Sequence, residues 1–150
     1  MVINRDGTFH VAYIVGNREV YYVQSTNGGV SWSSPAYIGG IDDPSWAFSR
    51  PHLAFGKAET IHITWTQHGE IDDQWLVSGI WYAASHNGGV TWSNPFNVVN
   101  ERGHGHSDVA ADNRGNVHLL WFRSVGPEDG RYHIWSNDGG ETWSTPEEIC

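Results

Sequence analysis

The residues best suited to chemistry crowd into Glu101-Arg102-Gly103-His104-Gly105-His106-Ser107-Asp108. Two imidazoles, two carboxylates and a guanidinium stand together there, on a backbone that glycine leaves free to turn. In extended backbone His104, His106 and Asp108 point to one side. Two His and a carboxylate are adequate metal ligands. No second ligand cluster of matching type appears, so the favoured reading uses no metal and no other cofactor. In that reading the imidazoles hydrogen-bond to sugar hydroxyls, or only to water. Arg102 grips a carboxylate, and Glu101 and Asp108 are by location the carboxylates for acid/base work. A second set, Asp42, Asp43, Trp46, Arg50 and His52, lies upstream. Arg50 and Arg102 either hold a ligand carboxylate or pair at the surface with Asp42, Asp43 or Glu101, and both readings stay open. Trp46 and Trp75 are either sugar-stacking platforms or anchors of their own loops.

The frame that positions these residues is written three times. Ser25-Thr26-Asn27-Gly28-Gly29-Val30-Ser31-Trp32, Ser85-His86-Asn87-Gly88-Gly89-Val90-Thr91-Trp92 and Ser136-Asn137-Asp138-Gly139-Gly140-Glu141-Thr142-Trp143 start 60 and 51 residues apart. Each is followed by Ser, one variable residue and Pro. Periods of this size mark propellers, solenoids or arrays. Asn-Gly or Asp-Gly between apolar-aromatic runs is a hairpin signal, because both residues tolerate positive φ. The Asn27, Asn87 or Asp138 side chain is expected to lock the turn through nearby N–H groups. Trp32, Trp92 and Trp143 are expected to seal one unit against the next. Ser25, Gly29, Ser85, Gly89, Ser136 and Gly140 complete these structural staples.

The repeat extends beyond the octet. Phe9-His10-Val11-Ala12-Tyr13, Ile61-His62-Ile63-Thr64-Trp65 and Val117-His118-Leu119-Leu120-Trp121 are three versions of one strand. A second aromatic strand leads into each octet, and the Trp-Ser-x-Pro run after it is expected to form a fourth, edge strand. Four short strands per repeat make a propeller blade. Superposing the repeats aligns Arg50 with His106 and His52 with Asp108. His10, His62 and His118 take equivalent positions inside the sheet, where a repeated residue is packing. The blades span about 1–38, 50–98 and 106–150 of one unit covering 1–150. Octets and first-to-second turns share one face. Inter-blade connections and second-to-third loops share the other, where the functional residue types gather.

The octets resemble the Asp-box, or bacterial neuraminidase repeat, of sialidase-like β-propellers. The copy at Ser136 matches Ser-x-Asp-x-Gly-x-Thr-Trp throughout, while the copies at Ser25 and Ser85 carry Asn for Asp. The resemblance implies an all-β propeller segment of about three four-stranded blades, with ligands at the face opposite the boxes. For a complete sialidase it also implies an arginine triad, a Tyr–Glu nucleophile pair and an Asp acid/base. None of these transfers to a particular residue here. Phe48-Ser49-Arg50-Pro51 has the composition of the family's Phe-Arg-Ile-Pro motif but not its order.

The totals bound the rest. Nine Trp, six Tyr and five Phe supply a core, and eighteen Gly suit turns more than helices. A net charge of −9 disfavours nucleic acid and anionic membrane surfaces as partners. An anionic sugar needs only a local Arg cluster. Cys150 is the sole cysteine, so no internal disulfide forms. No apolar run approaches a membrane span. Met1-Val2-Ile3-Asn4-Arg5-Asp6 does not read as a signal peptide, which leaves localisation open. Three blades cannot close a ring. Either two copies make a six-bladed homodimer or the chain is a fragment of a longer propeller. Two functions follow: a carbohydrate-active protein binding and hydrolysing glycans at Arg50, His52, Arg102, His104 and His106, or a non-catalytic scaffold meeting a protein there.

Overall fold

A computed structural model of the chain describes residues 1–100, 104–124 and 129–149, with backbone alone at 71 and 104. The described residues are all β. The first sheet runs β1 (Val2–Ile3), β2 (Phe9–Val15), β3 (Glu19–Ser25) and β4 (Ala36–Gly40). The second runs β5 (Trp46–Phe55), β6 (Ile61–Ile71), β7 (Gln74–Ser85) and β8 (Phe96–Val99). The third runs β9 (His104–Ala111), β10 (Val117–Arg123), β11 (Gly130–Ser136) and β12 (Glu147–Glu148). Each is a four-stranded antiparallel meander in chain order, the construction of a propeller blade. A single bridge, Val77 to His104, joins the second ladder to the third.

The blades stack through alternate side chains. Val20, Tyr22 and Ile38 of the first meet Leu53, Ile61, Ile63 and Trp65 of the second in one apolar layer. Ala54, Ile80 and Tyr82 of the second meet Val109, Val117, Leu119 and Trp121 of the third in the other layers. Both faces of the middle blade are thus buried, and six successive residues of β6, from Ile61 to Thr66, are buried whether apolar or polar. Burying each such aliphatic side chain contributes roughly 1.5–3 kcal/mol.

Each octet closes its hairpin with the same bonds. The hydroxyls of Ser25, Ser85 and Ser136 accept the N–H of Gly29, Gly89 and Gly140 at 2.9, 2.8 and 2.8 Å. They donate to Oδ1 of Asn27, Asn87 and Asp138. That oxygen in turn accepts the N–H of Ser31, Thr91 and Thr142. The Asn-for-Asp exchange reverses one donor and keeps the contact: Asn27 and Asn87 donate to the hydroxyls of Ser31 and Thr91, whereas Asp138 accepts from Thr142. These bonds hold the Asp138 carboxyl well below the usual range, the Ser136 bond contributing most.

Two expectations are corrected. The Trp-Ser-x-Pro run is not itself a strand; pairing begins after Pro35, Pro95 and Pro146. Pro has no N–H to give the ladder, and the preceding serine supplies the link instead. Ser93, for example, donates its N–H to Ala84 O at 2.8 Å and accepts the Ala84 N–H on Oγ at 3.0 Å. Nor is the middle blade's second-to-third connection a loop. β6 and β7 continue as a paired hairpin to Ile71 and Gln74, turned at Asp72 and Asp73 with φ of 51° and 61°. Two left-handed residues are what a two-residue hairpin with the right twist requires, and Asp supplies them more readily than most.

Candidate functional site

The candidate site lies where the innermost strands β5 and β9 run side by side. Between Ser49 and His52 the register of β5 shifts by one residue. Arg50 sits in this bulge with φ of 56°, left-handed backbone that costs a side-chain-bearing residue on the order of 1–3 kcal/mol. Bulges re-aim side chains beside functional sites, and this one sends Arg50 across to the third blade. The Arg50 guanidinium donates to the imidazole of His106. Two residues further along each strand, His52 Nδ1 lies 3.2 Å from Asp108 Oδ1. His106 and Asp108 are two apart on β9 and so share a side. The positions that the repeat aligns are therefore the ones that touch across the blade boundary.

Charge at the site is mostly basic. Burial, then the charges of Arg50 and His52, lower the pKa of His106, so the ring stays a neutral acceptor. His68 on β6 is lowered by burial and then by Arg50. Its Nδ1 is 3.3 Å from Ser49 Oγ, which bonds Thr66 Oγ1 at 2.9 Å. Asp108 is 77% exposed and His52 40%, so the pair faces solvent with one edge of the imidazole free. The carboxylate fixes the orientation of the imidazole.

Asp42 and Asp43 do not pair with Arg50. Asp42 O accepts from Arg18 at 3.2 Å, and Asp43 caps its own turn through the Ser45 N–H at 2.9 Å. Trp46 lies over Gly69, where a Cβ would strike its ring, and so anchors the hairpin. Trp75 is 63% exposed and meets His68 edge-on at 5.3 Å. With Pro44, Ser45, Glu70, Asp72 and Asp73 it lines a rim cleft of about 490 Å³. Glu101 and Arg102 lie outside the described residues. Of His104 the structure describes the backbone, bridged to Arg123 and Val77. The guanidinium against His106 makes a cation site there unfavourable, because like charges repel at this range. Sequence reasoning missed Ser49, Thr66 and His68 as supports of Arg50. The bulge that joins them left no sequence signal beyond Pro51.

No family model matches the sequence, and no curated protein matches it. Among solved structures, the chain is similar to a mutant of the NanB sialidase of Streptococcus pneumoniae, with a TM-score of 0.65 and 15% identity over 99% of this chain and 23% of that one. It is similar to the Hadza microbial sialidase Hz136, with a TM-score of 0.65 and 16% identity over 94% of this chain and 35% of the other. A polysaccharide lyase of family PL25, an ulvan lyase bound to -[GlcA(1-4)Rha3S]-, gives a TM-score of 0.66 and 11% identity over 95% and 41%. At these identities what is shared is the propeller fold. The chain spans less than half the length of each.

Proposed function

We propose that the chain belongs to a carbohydrate-binding propeller of the Asp-box type. Its ligand face is the rim carrying Arg50, His52, His106 and Asp108, and its ligand is a glycan bearing a carboxylate. The observation that carries this reading is the partner of Arg50. A scaffold would bury its surface arginines in pairs with carboxylates, whereas among the described residues Arg50 meets the imidazole of His106 and no carboxylate, which leaves its charge for an incoming acid. The structural likenesses support it, since two are to sialidases and one is to a lyase bound to a chain containing GlcA. Glu101, Arg102 and His104, which adjoin Asp108 in sequence, complete the proposed site. Hydrolysis would draw on Asp108 and Glu101 as acid and base.

A second reading, cleavage by elimination, is favoured by the His52–Asp108 pair. His52, oriented by Asp108, takes the proton from the carbon next to the sugar carboxylate. The bond from the neighbouring carbon to the glycosidic oxygen then breaks, and that oxygen leaves with a proton from solvent. The product is an unsaturated uronate that absorbs ultraviolet light. Binding of uronate- and sialate-bearing oligosaccharides, followed by calorimetry, is expected to weaken about tenfold or more in Arg50→Ala. Unchanged binding in that variant removes the site. Reducing ends without new ultraviolet absorption assign hydrolysis, both together assign elimination, and binding without either assigns a lectin-like role.

A further inference from the structure

Two grooves of one construction open on the octet face, between the first and second blades and between the second and third. A buried histidine lines each, His10 in the first and His62 in the second. Each ring holds a tyrosine hydroxyl through Nδ1, Tyr22 at 2.5 Å and Tyr82 at 2.6 Å. Each groove is bordered by the following blade's octet, whose glycine N–H bonds a carbonyl of that blade's first turn. These bonds are Gly88 to Glu59 at 3.2 Å and Gly139 to Gly115 at 3.0 Å.

The two differ in charge. Superposed on their histidines, the second groove has Ala58 where the first has Asp6, Gly115 where it has Glu59, and His86 where it has Thr26. It is also lined by Arg114 and by Lys57, the sole lysine of the chain, which matches Arg5, a residue outside the first groove. The carboxylates fall from two to one, and three basic side chains line the second groove where none lines the first. None of those three makes a side-chain hydrogen bond or ion pair among the described residues. Asp138 replaces Asn87 there, but its oxygens already accept from Ser136, Glu141 and Thr142. At the floor His62 is 1% exposed, and burial, then the charge of His86, lowers its pKa to about 4, so it is neutral. The Tyr82 hydroxyl lies between His62 Nδ1 and the Gly139 carbonyl, to which it donates at 3.3 Å.

We propose that the groove between the second and third blades, about 440 Å³, binds a sulfate or phosphate group through Lys57, Arg114 and His86. The chain's overall charge of −9 repels anions, so binding needs such a local cluster of donors. Charge-assisted hydrogen bonds to the oxyanion supply the attraction. The site lies on the face opposite Arg50 and stands independently of the glycan reading.

Inorganic sulfate, inorganic phosphate and acetate are titrated into the chain at constant ionic strength, with the imidazoles of His62, His86 and His10 and the amides of Gly115 and Gly139 followed by NMR. Sulfate and phosphate are expected to give saturable shifts in the second groove, acetate weaker ones, and His10 none. The double variant Lys57→Ala/Arg114→Ala weakens binding about tenfold or more. Ala58→Asp, which restores the first groove's Asp6 at a left-handed position that aspartate tolerates, abolishes saturation without lowering Tm. A sulfated monosaccharide against a sugar phosphate then decides which ester is preferred. Non-saturating shifts, equal shifts at His10, acetate matching sulfate, or unaltered affinity in both variants would overturn the site.

Discussion

At the residue scale, His10, His62 and His118 show what a repeated polar residue inside a sheet does. Each ring is tied to a diagonal neighbour on the third strand, two residues before its cross-strand partner: Tyr22, Tyr82 and, in the last blade, His133, 2.9 Å from His118. His62 carries a pH consequence. Its proton binds near 6.5 in the unfolded chain and near 4 in the folded one, so acid favours unfolding. Its contribution is full above about pH 6.5 and is lost as pH falls toward 4, by about 3 kcal/mol at most. Urea unfolding of the chain is expected to show this loss between pH 6.5 and 4, and His62→Gln should remove most of it. An identical pH slope in both proteins refutes that assignment. Asp112, lowered to about 2 chiefly by Asn116, acts in a lower window, from about pH 4 downward.

At the element scale, the octet carries stability in two separable ways. The Ser85 hydroxyl is fully buried and serves two partners, so Ser85→Ala is expected to cost about 1–3 kcal/mol in chemical denaturation. Gly89 and Gly140 have φ of 91° and 97°, and a methyl at either would run into Tyr22 or Tyr82 of the preceding blade. Gly140→Ala combines backbone strain with overpacking and should cost about 3 kcal/mol or more. Gly29 has a similar φ of 87° but meets no neighbouring blade, so Gly29→Ala should cost visibly less. Equal losses at 29 and 140 would show that the tyrosine contact contributes nothing.

At the scale of the whole molecule, the chain makes one kind of joint twice. Tyr22 meets Trp92 edge-on at 5.0 Å, and Tyr82 meets Trp143 at 5.1 Å. The halves of a third joint stand open among the described residues. Trp32 is 43% exposed on the first blade, and His133 stacks with Trp135 on the third. Closure of a six-bladed ring by a second copy, proposed on this complementarity, expects twice the monomer mass in sedimentation and its return to monomer in Trp32→Asp. A monomer at every concentration discards that closure and leaves both flanks for further blades of a longer chain.

The sequence by itself determined the number of blades, the strand order and the octet hairpins. All follow from short-range periodicity and turn chemistry, which the residues carry without reference to distant parts of the chain. It also placed His106 and Asp108 on one side of a strand and aligned them with Arg50 and His52. Tertiary structure decided what those alignments mean, because contact across a blade boundary depends on how two sheets lean together. The bulge at Arg50, the supports Ser49, Thr66 and His68, and the opposite charge of two like grooves arise from that packing. No local pattern of residues encodes them.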